Sequence, residues 1–140
     1  MVFLTRRYHF SASHCLHSES LSSEENARVY GKCSNPYGHG HNYILHVTVA
    51  GGVDLMTGRV LDMTQLDRFV LEEVLEPMDH MHLNKDVGAF EHRTPTTENV
   101  CMEIYDRLCR RLKEVLPRDG PVIKKVLLEE TQSNYFEYEG

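Results

Sequence analysis

The fold of this 140-residue chain is decided by one segment, Gly-His-Gly-His-Asn-Tyr-Ile-Leu-His-Val-Thr-Val at positions 38–49. From Asn42 onward the segment is rich in β-branched and aliphatic residues, which predicts a strand entered from a Gly/Pro/Asn-rich loop. His39 and His41 stand at the entrance of this strand. If they belong to it, their i, i+2 spacing points both imidazoles to one face, where they can converge on one ion.

A third imidazole, His14, lies at the far end of an earlier predicted strand over residues 2–12. If the two strands are neighbours, His14 completes a three-histidine set with His39 and His41. Three neutral His ligands favour Zn²⁺ and leave an open coordination position, which is typical of catalytic zinc. The alternative is a polar His-Gly-His loop without metal. The pair alone leaves both interpretations open, and the nearby His14 and Cys33 favour the metal.

Cys33 lies six residues before His39 in a Lys-flanked loop, and three roles are open to it. A thiolate there could act as a base or nucleophile. The same thiol could be a fourth zinc ligand in a closed structural site, or an inert buried side chain. Spacing alone favours the zinc ligand over the catalytic base.

Three further groups of polar residues are candidates for chemistry. Asp79 and His80 follow the first long helix and could form an acid/base pair, although the two residues alone favour a solvated loop. The segment 96–98, Thr-Thr-Glu, predicts the capped start of the second long helix. Glu129 and Glu130 end an apolar strand. An inward carboxylate there needs donors such as the N–H groups of a heterocycle, and a solvent-facing Glu is the alternative.

Length and charge narrow the class of protein. The chain has room for a single domain, residues 1–140. Its net charge of −6, from 15 Lys+Arg against 21 Asp+Glu, argues against a nucleic-acid binder. No apolar run approaches the roughly 18 residues that span a bilayer, and the N-terminus lacks the apolar centre of a signal peptide. We therefore expect a cytoplasmic protein without nucleic-acid or membrane partners.

The predicted elements indicate an α+β domain. Capping signals and apolar periodicity predict a short helix and two long ones, and a Thr57-Gly58 turn predicts a hairpin. The predicted helices cover residues 23–29, 63–77 and 97–117, and two more strands cover 122–128 and 135–138. Strands, then helices, then strands indicate an antiparallel sheet with helices on one face, whose edges a neighbouring subunit could pair with.

Six motifs in chain order together resemble the 6-pyruvoyl-tetrahydropterin synthase family across nearly the whole chain. They are Phe10-Ser11-Ala12-Ser13-His14, Tyr30-Gly31-Lys32-Cys33-Ser34-Asn35-Pro36, Gly38-His39-Gly40-His41-Asn42-Tyr43, Asp79-His80, Thr96-Thr97-Glu98-Asn99-Val100 and Glu130-Thr131. Linked in this order, they are far more specific than His-Gly-His alone.

The resemblance implies a zinc enzyme that converts 7,8-dihydroneopterin triphosphate to 6-pyruvoyl-tetrahydropterin with loss of triphosphate, on the route to tetrahydrobiopterin. It also implies a role for each matching residue. His14, His39 and His41 would bind zinc, Cys33 would be the base, Asp79 and His80 would relay protons, Glu130 would anchor the pterin ring, and Thr96 and Thr97 would line the pterin pocket.

The family's tunnelling fold implies an antiparallel four-stranded sheet with two helices on one face. Three such chains join into a barrel and two trimers stack into a homohexamer, with active sites between subunits.

Two alternatives to this function stay open. One is the related 6-carboxy-tetrahydropterin synthase, whose bacterial forms have a shorter gap than the five residues between Cys33 and His39. The other is a non-enzymatic structural zinc domain.

Overall fold

Two long strands form the centre of the molecule. The computed structural model describes residues 1–140, and in it β1 (Val2–His14) pairs antiparallel with β2 (His39–Gly51) along the full length of both. The register is unbroken and places His14 opposite His39. On one face, alternate β2 side chains such as Tyr43 and Leu45 are completely buried. His39 and His41 therefore belong to the strand, as their proposed convergence requires.

The sheet has five strands in the order β3-β1-β2-β4-β5. The added strands are β3 (Met81–His82), β4 (Val122–Glu129) and β5 (Tyr135–Tyr138). β4 and β5 extend the antiparallel sheet, whereas β3 pairs parallel with β1. The prediction of a four-stranded antiparallel sheet is therefore wrong in strand number and in the direction of one edge strand. A two-residue strand is too short to show an alternating pattern, so only tertiary contact reveals it.

The predicted hairpin around Thr57-Gly58 is also wrong, because its turn is present but its flanks are not strands. The Asp54 main chain donates to Arg59 O at 2.9 Å, and the Asp54 carboxylate accepts from the N–H groups of Met56 and Thr57 at 3.0 and 2.7 Å. The side chain thus takes up the backbone donors that a strand ladder would have used.

The predicted helices are present with small changes at their ends. Ser22 and Glu25 form the predicted capping box at the start of the first helix. The helices are α1 (Ser23–Tyr30), α2 (Met63–Val70), the short α3 (Leu83–Asp86) and α4 (Thr97–Val115). α2 continues through a π-helical turn, Leu71–Leu75, and a last α-turn, Glu76–Met78. Short 3₁₀ turns cover Gly31–Ser34 and Gly88–Phe90.

The two faces of the sheet differ in what covers them. α2 and α4 pack on one face, and their buried side chains join those of the strands in one apolar core of 23 residues. The opposite face carries polar side chains, among them Arg7, His9, His46 and Lys125. None of the helices combines the length and apolar character needed to cross a bilayer. The covered and the open face hold different candidate site residues, as described next.

Candidate metal centre and active site

Three imidazoles meet at the end of the β1–β2 pair, on the face that the helices cover. His14 lies directly opposite His39, and His41 is two residues further along the same strand. One ring nitrogen from each residue lies within 4.8 Å of the other two, and the ring centroids are 4.6, 4.8 and 5.1 Å apart. Strand register and side-chain alternation thus bring together the three histidines that the sequence singled out.

The fully buried His14 is oriented by a main-chain carbonyl. Its Nδ1 lies 2.8 Å from Pro95 O, and because a carbonyl only accepts, Nδ1 carries the proton and Nε2 presents a lone pair. That Nε2 lies 3.0 Å from Nε2 of His39. Burial lowers the pKa of His14 to about 4, which keeps the ring neutral at pH 7. A neutral imidazole with a fixed tautomer is the form that binds a metal ion.

His41 supplies a buried nitrogen that lacks a hydrogen-bond partner. Its Nε2 lies 3.1 Å from Glu130 Oε1, yet the two atoms are not aligned as a hydrogen bond. Burial also lowers the pKa of His41, so this ring too is held neutral. A cation between the three rings would satisfy the free nitrogen and lie near the carboxylate. The donor set therefore fits a divalent transition-metal ion.

The loop before His39 passes so close to His14 that Gly38 has no room for a side chain. A Cβ on Gly38 would lie 2.9 Å from His14 O, and its φ of +76° is in the left-handed region. Only glycine adopts this conformation without strain. Gly38 thus allows β2 to begin at a residue directly opposite the end of β1.

The neighbouring carboxylates of Glu129 and Glu130 lie on opposite faces of the sheet. Glu129 Oε2 lies 2.7 Å from His46 Nε2 on the open face. Glu130 turns to the covered face, where Oε2 accepts a hydrogen bond from Thr97 Oγ1 at 2.5 Å and Oε1 lies beside His41. Glu130 is thus the carboxylate that lies next to the three-histidine group.

Thr96 and Thr97 begin α4 close to this group. Thr96 is the N-cap, and its side chain accepts from the N–H of Asn99 at 3.3 Å, which confirms the predicted cap. Thr97 is buried and holds Glu130. The start of α4 therefore fixes the orientation of the carboxylate.

Asp79 and His80 are hydrogen-bonded to the edge of β1. Asp79 Oδ1 accepts from the N–H of Ser11 at 2.9 Å and lies 3.0 Å from His80 Nδ1. The hydrogen bond from Ser11 is the main cause that holds the pKa of Asp79 below its ordinary range, and the neighbouring His80 acts in the same direction. His80 has a φ of 60°, which costs a non-glycine residue on the order of 1 kcal/mol, and its N–H donates to Ser11 O at 2.6 Å.

The Asp79–His80 pair borders the open face of the sheet and is not part of the three-histidine group. It lines a depression of about 390 Å³ whose other walls include open-face residues, His9, Ser11, Asn42 and Ile44. The imidazole of His80 is 83% exposed. A second depression, of about 500 Å³, is lined by His80 together with His41, so the exposed His80 lies at the sheet edge between the two faces.

Cys33 lies in the 3₁₀ turn Gly31–Ser34 and is half-buried. Its carbonyl accepts from the N–H of Leu16 at 2.8 Å, so the turn is fixed to the chain just after His14. The group of residues placed to hold a metal contains the three histidines and not Cys33. This placement does not support the fourth-ligand role that spacing alone favours.

Two residues near the group were missed from the sequence. Pro95 gives its carbonyl to His14, and no sequence pattern indicates such a contact. Tyr43 is completely buried, and its hydroxyl has no hydrogen-bond partner. Burial is the main cause that raises the pKa of this hydroxyl, and the charge of Glu130 raises it further. Alternation could have placed Tyr43, because it is two residues beyond His41 on the same face.

The fold and this arrangement define a class of protein: an α+β domain with three histidines able to hold a metal ion at a sheet end and a half-buried carboxylate beside them. Comparison with known proteins agrees with this class. The family model described as 6-pyruvoyl tetrahydropterin synthase matches residues 3–140. The chain therefore belongs to the 6-pyruvoyl tetrahydropterin synthase family.

Individual relatives match over nearly the whole chain. The 6-pyruvoyl tetrahydrobiopterin synthase of Pongo abelii is 46% identical over 98% of this chain and 90% of its own length. The 6-pyruvoyl tetrahydrobiopterin synthase of Poecilia reticulata is 44% identical over 99% of this chain and 90% of its own length. The solved structure of Caenorhabditis elegans 6-pyruvoyl tetrahydropterin synthase is 42% identical, covers 99% of this chain and 95% of its own, and has a TM-score of 0.89.

The geometry predicts that His39→Ala abolishes binding of a divalent transition metal, because two imidazoles leave too few protein ligands. The matched control is His46→Ala, which removes an imidazole from the same strand but from the open face. Metal content of the purified variants, measured by mass spectrometry, checks this. We expect about one ion per chain in the wild type and in His46→Ala. A metal content in His39→Ala equal to that of the wild type would contradict the assignment of His39 as a metal ligand.

Proposed function

We propose that this chain is a zinc-dependent lyase. It converts 7,8-dihydroneopterin triphosphate to 6-pyruvoyl-5,6,7,8-tetrahydropterin with elimination of triphosphate, in tetrahydrobiopterin biosynthesis. The observation that carries this proposal is the convergence of His14, His39 and His41 beside Glu130, in a chain that belongs to this family. Bound zinc would act as a Lewis acid toward the hydroxyl groups of the substrate side chain.

Glu130 would anchor the pterin ring. A carboxylate accepts two parallel hydrogen bonds, which matches the amino and ring N–H groups of a 2-aminopyrimidinone. Thr97 already holds one carboxylate oxygen at 2.5 Å, so the orientation of Glu130 is fixed before substrate arrives. Thr96, as the cap of α4, would form the wall of the pterin pocket next to it.

Cys33 would be the proton-abstracting base, with Asp79 and His80 as the proton relay. The thiolate removes a proton from a side-chain carbon of the substrate, and triphosphate departs with the electrons of its bond to carbon. Tautomerisation then moves the hydrogens, so oxidation of the side chain is balanced by reduction of the ring within one molecule. No nicotinamide or flavin is needed, and the sequence contains no dinucleotide-binding fingerprint.

We also propose that two chains build each active site. The three histidines lie on the covered face, whereas the exposed His80 borders the open face. The imidazole of His80 is 83% exposed at the edge of the sheet, so a neighbouring chain that meets this edge would reach it. A homohexamer made of two trimers, with β3 and β5 as the unpaired sheet edges at which chains meet, is the assembly we propose.

Four free cysteines fit a protein kept in a reducing compartment, and we place this enzyme in the cytoplasm. The structural zinc domain is a weaker candidate, because the metal group lacks Cys33 and has three protein ligands rather than the four of a closed site.

The direct test of the proposed reaction is the identity of the product. Zinc-loaded protein incubated with 7,8-dihydroneopterin triphosphate is expected to yield 6-pyruvoyl-tetrahydropterin and one equivalent of triphosphate, identified by mass spectrometry. A 6-carboxy product with release of acetaldehyde would assign the related 6-carboxy-tetrahydropterin synthase activity instead. Absence of any product from metal-loaded protein would refute both enzymes.

The shared site predicts complementation between two inactive variants. Cys33→Ala and His80→Ala are each expected to fold and retain metal but to lose turnover, because one lacks the base and the other the relay. Mixing them in equal amounts and reassembling the oligomer is expected to restore about a quarter of the sites, since such a site needs one chain of each kind.

Subunit exchange is verified by mass spectrometry of differently tagged chains. No recovery of activity after verified exchange would mean that each chain supplies both residues to its own site. Loss of metal together with folding in Cys33→Ala would instead support the structural site.

A further inference from the structure

We propose that Asn84 is a positioning residue for the metal centre, through its hold on the main chain that follows His14. The proposal rests on the three-histidine centre described above. The hydrogen bonds of the Asn84 side chain go to the main chain of Cys15 and not to the side chain of a metal ligand. Its effect on the centre is carried by the backbone of one residue, Cys15.

The side-chain amide of Asn84 pairs with both polar groups of the Cys15 main chain. Asn84 Oδ1 accepts from the Cys15 N–H at 2.8 Å, and Asn84 Nδ2 donates to Cys15 O at 2.8 Å. The short parallel ladder between β1 and β3 ends at Ser13 and His82. Just beyond this ladder, the side-chain amide of Asn84 makes the hydrogen bonds that a further residue of β3 would have made. The main chain after His14 therefore remains fixed.

The two residues after His14 connect the metal ligand to the proposed base. Cys15 is held by Asn84, and the N–H of the next residue, Leu16, donates to Cys33 O at 2.8 Å. A shift of Cys15 would therefore move His14 on one side and the turn that carries Cys33 on the other. Asn84 also lies in α3, which directly follows β3 and the Asp79–His80 pair.

Removal of the amide leaves the Cys15 N–H and C=O without these partners, and the end of β1 loses its hold on the β3–α3 segment. A half-buried N–H or C=O group without a partner is costly, so the strand end would rearrange to reach water. Three ligands that have to be ordered by the ion bind it more weakly than three that are already in place. The expected consequence is a lower metal affinity in a folded protein.

The chain contains a matched control in Asn26. Asn26 holds Ser18 in the same way: its Oδ1 accepts from the Ser18 N–H at 2.7 Å, and its Nδ2 donates to Ser18 O at 3.0 Å. Asn26 is more buried than Asn84, and it makes further hydrogen bonds to Leu21 O and Ser22 O. Its removal should therefore cost at least as much stability, without a contact to the residues that join His14 to Cys33.

The test compares Asn84→Ala, Asn84→Asp and Asn26→Ala in the zinc-loaded 140-residue chain. Zinc retention is titrated against a chelator of known affinity, and urea unfolding measures the stability of each variant. We expect Asn84→Ala to lower zinc affinity by about tenfold or more, a range known for outer-shell residues. The zinc affinity of Asn26→Ala should stay within about twofold of the wild-type value, even if this variant loses more stability than Asn84→Ala.

Asn84→Asp keeps the acceptor for the Cys15 N–H and loses the donor, so an intermediate affinity is expected. It also replaces Asn84→Ala in the comparison if the alanine variant does not fold. Cobalt substitution gives a second readout, because the visible absorption of Co²⁺ reports the geometry of the three ligands. Wild-type affinity and spectrum in the folded Asn84 variants, or equal losses in Asn26→Ala, would overturn the proposal.

Failure of the proposed function gives a different result. A wild-type protein that holds zinc but forms no pterin product would refute the lyase and leave the comparison of zinc affinities valid. A wild-type protein that binds no zinc would refute the metal centre, and the positioning role of Asn84 with it.

Discussion

The pairing of His14 with His39 across β1 and β2 is the constraint on which the rest of the structure depends. A slip of one residue would turn every side chain of one strand to the other face, separating the imidazoles and exposing Tyr43 and Leu45 to water. The same register that buries the core therefore assembles the metal group. The apolar alternation of the two strands continues directly into the three histidines.

The candidate site residues lie at different places on the sheet. The histidine group and Glu130 lie under the helices, while the exposed His80 borders the open face. Glu129 and Glu130 are adjacent in the sequence, and the alternation at the end of β4 turns their carboxylates to opposite faces. The strand alternation thus decides which of the two acids lies beside the histidine group.

The residues that could be predicted from the sequence are those whose role depends on periodicity or on a local motif. The i, i+2 spacing of His39 and His41 and the apolar pattern of α4 are of this kind. The two-residue strand Met81–His82 and the amide pair of Asn84 with Cys15 are not. They join segments distant in sequence through contacts of only one or two residues, and such short contacts leave no periodic pattern in the sequence.

In the proposed site, three imidazoles hold the metal, and Cys33 stays outside its coordination and is free to act as a base. X-ray absorption spectroscopy of the zinc-loaded protein tests this directly, because sulfur and nitrogen neighbours differ in distance and scattering. We expect a first shell of nitrogen and oxygen, at about 2.0–2.1 Å for the imidazoles, with imidazole outer-shell scattering and no sulfur. A zinc–sulfur distance of about 2.3 Å would contradict it.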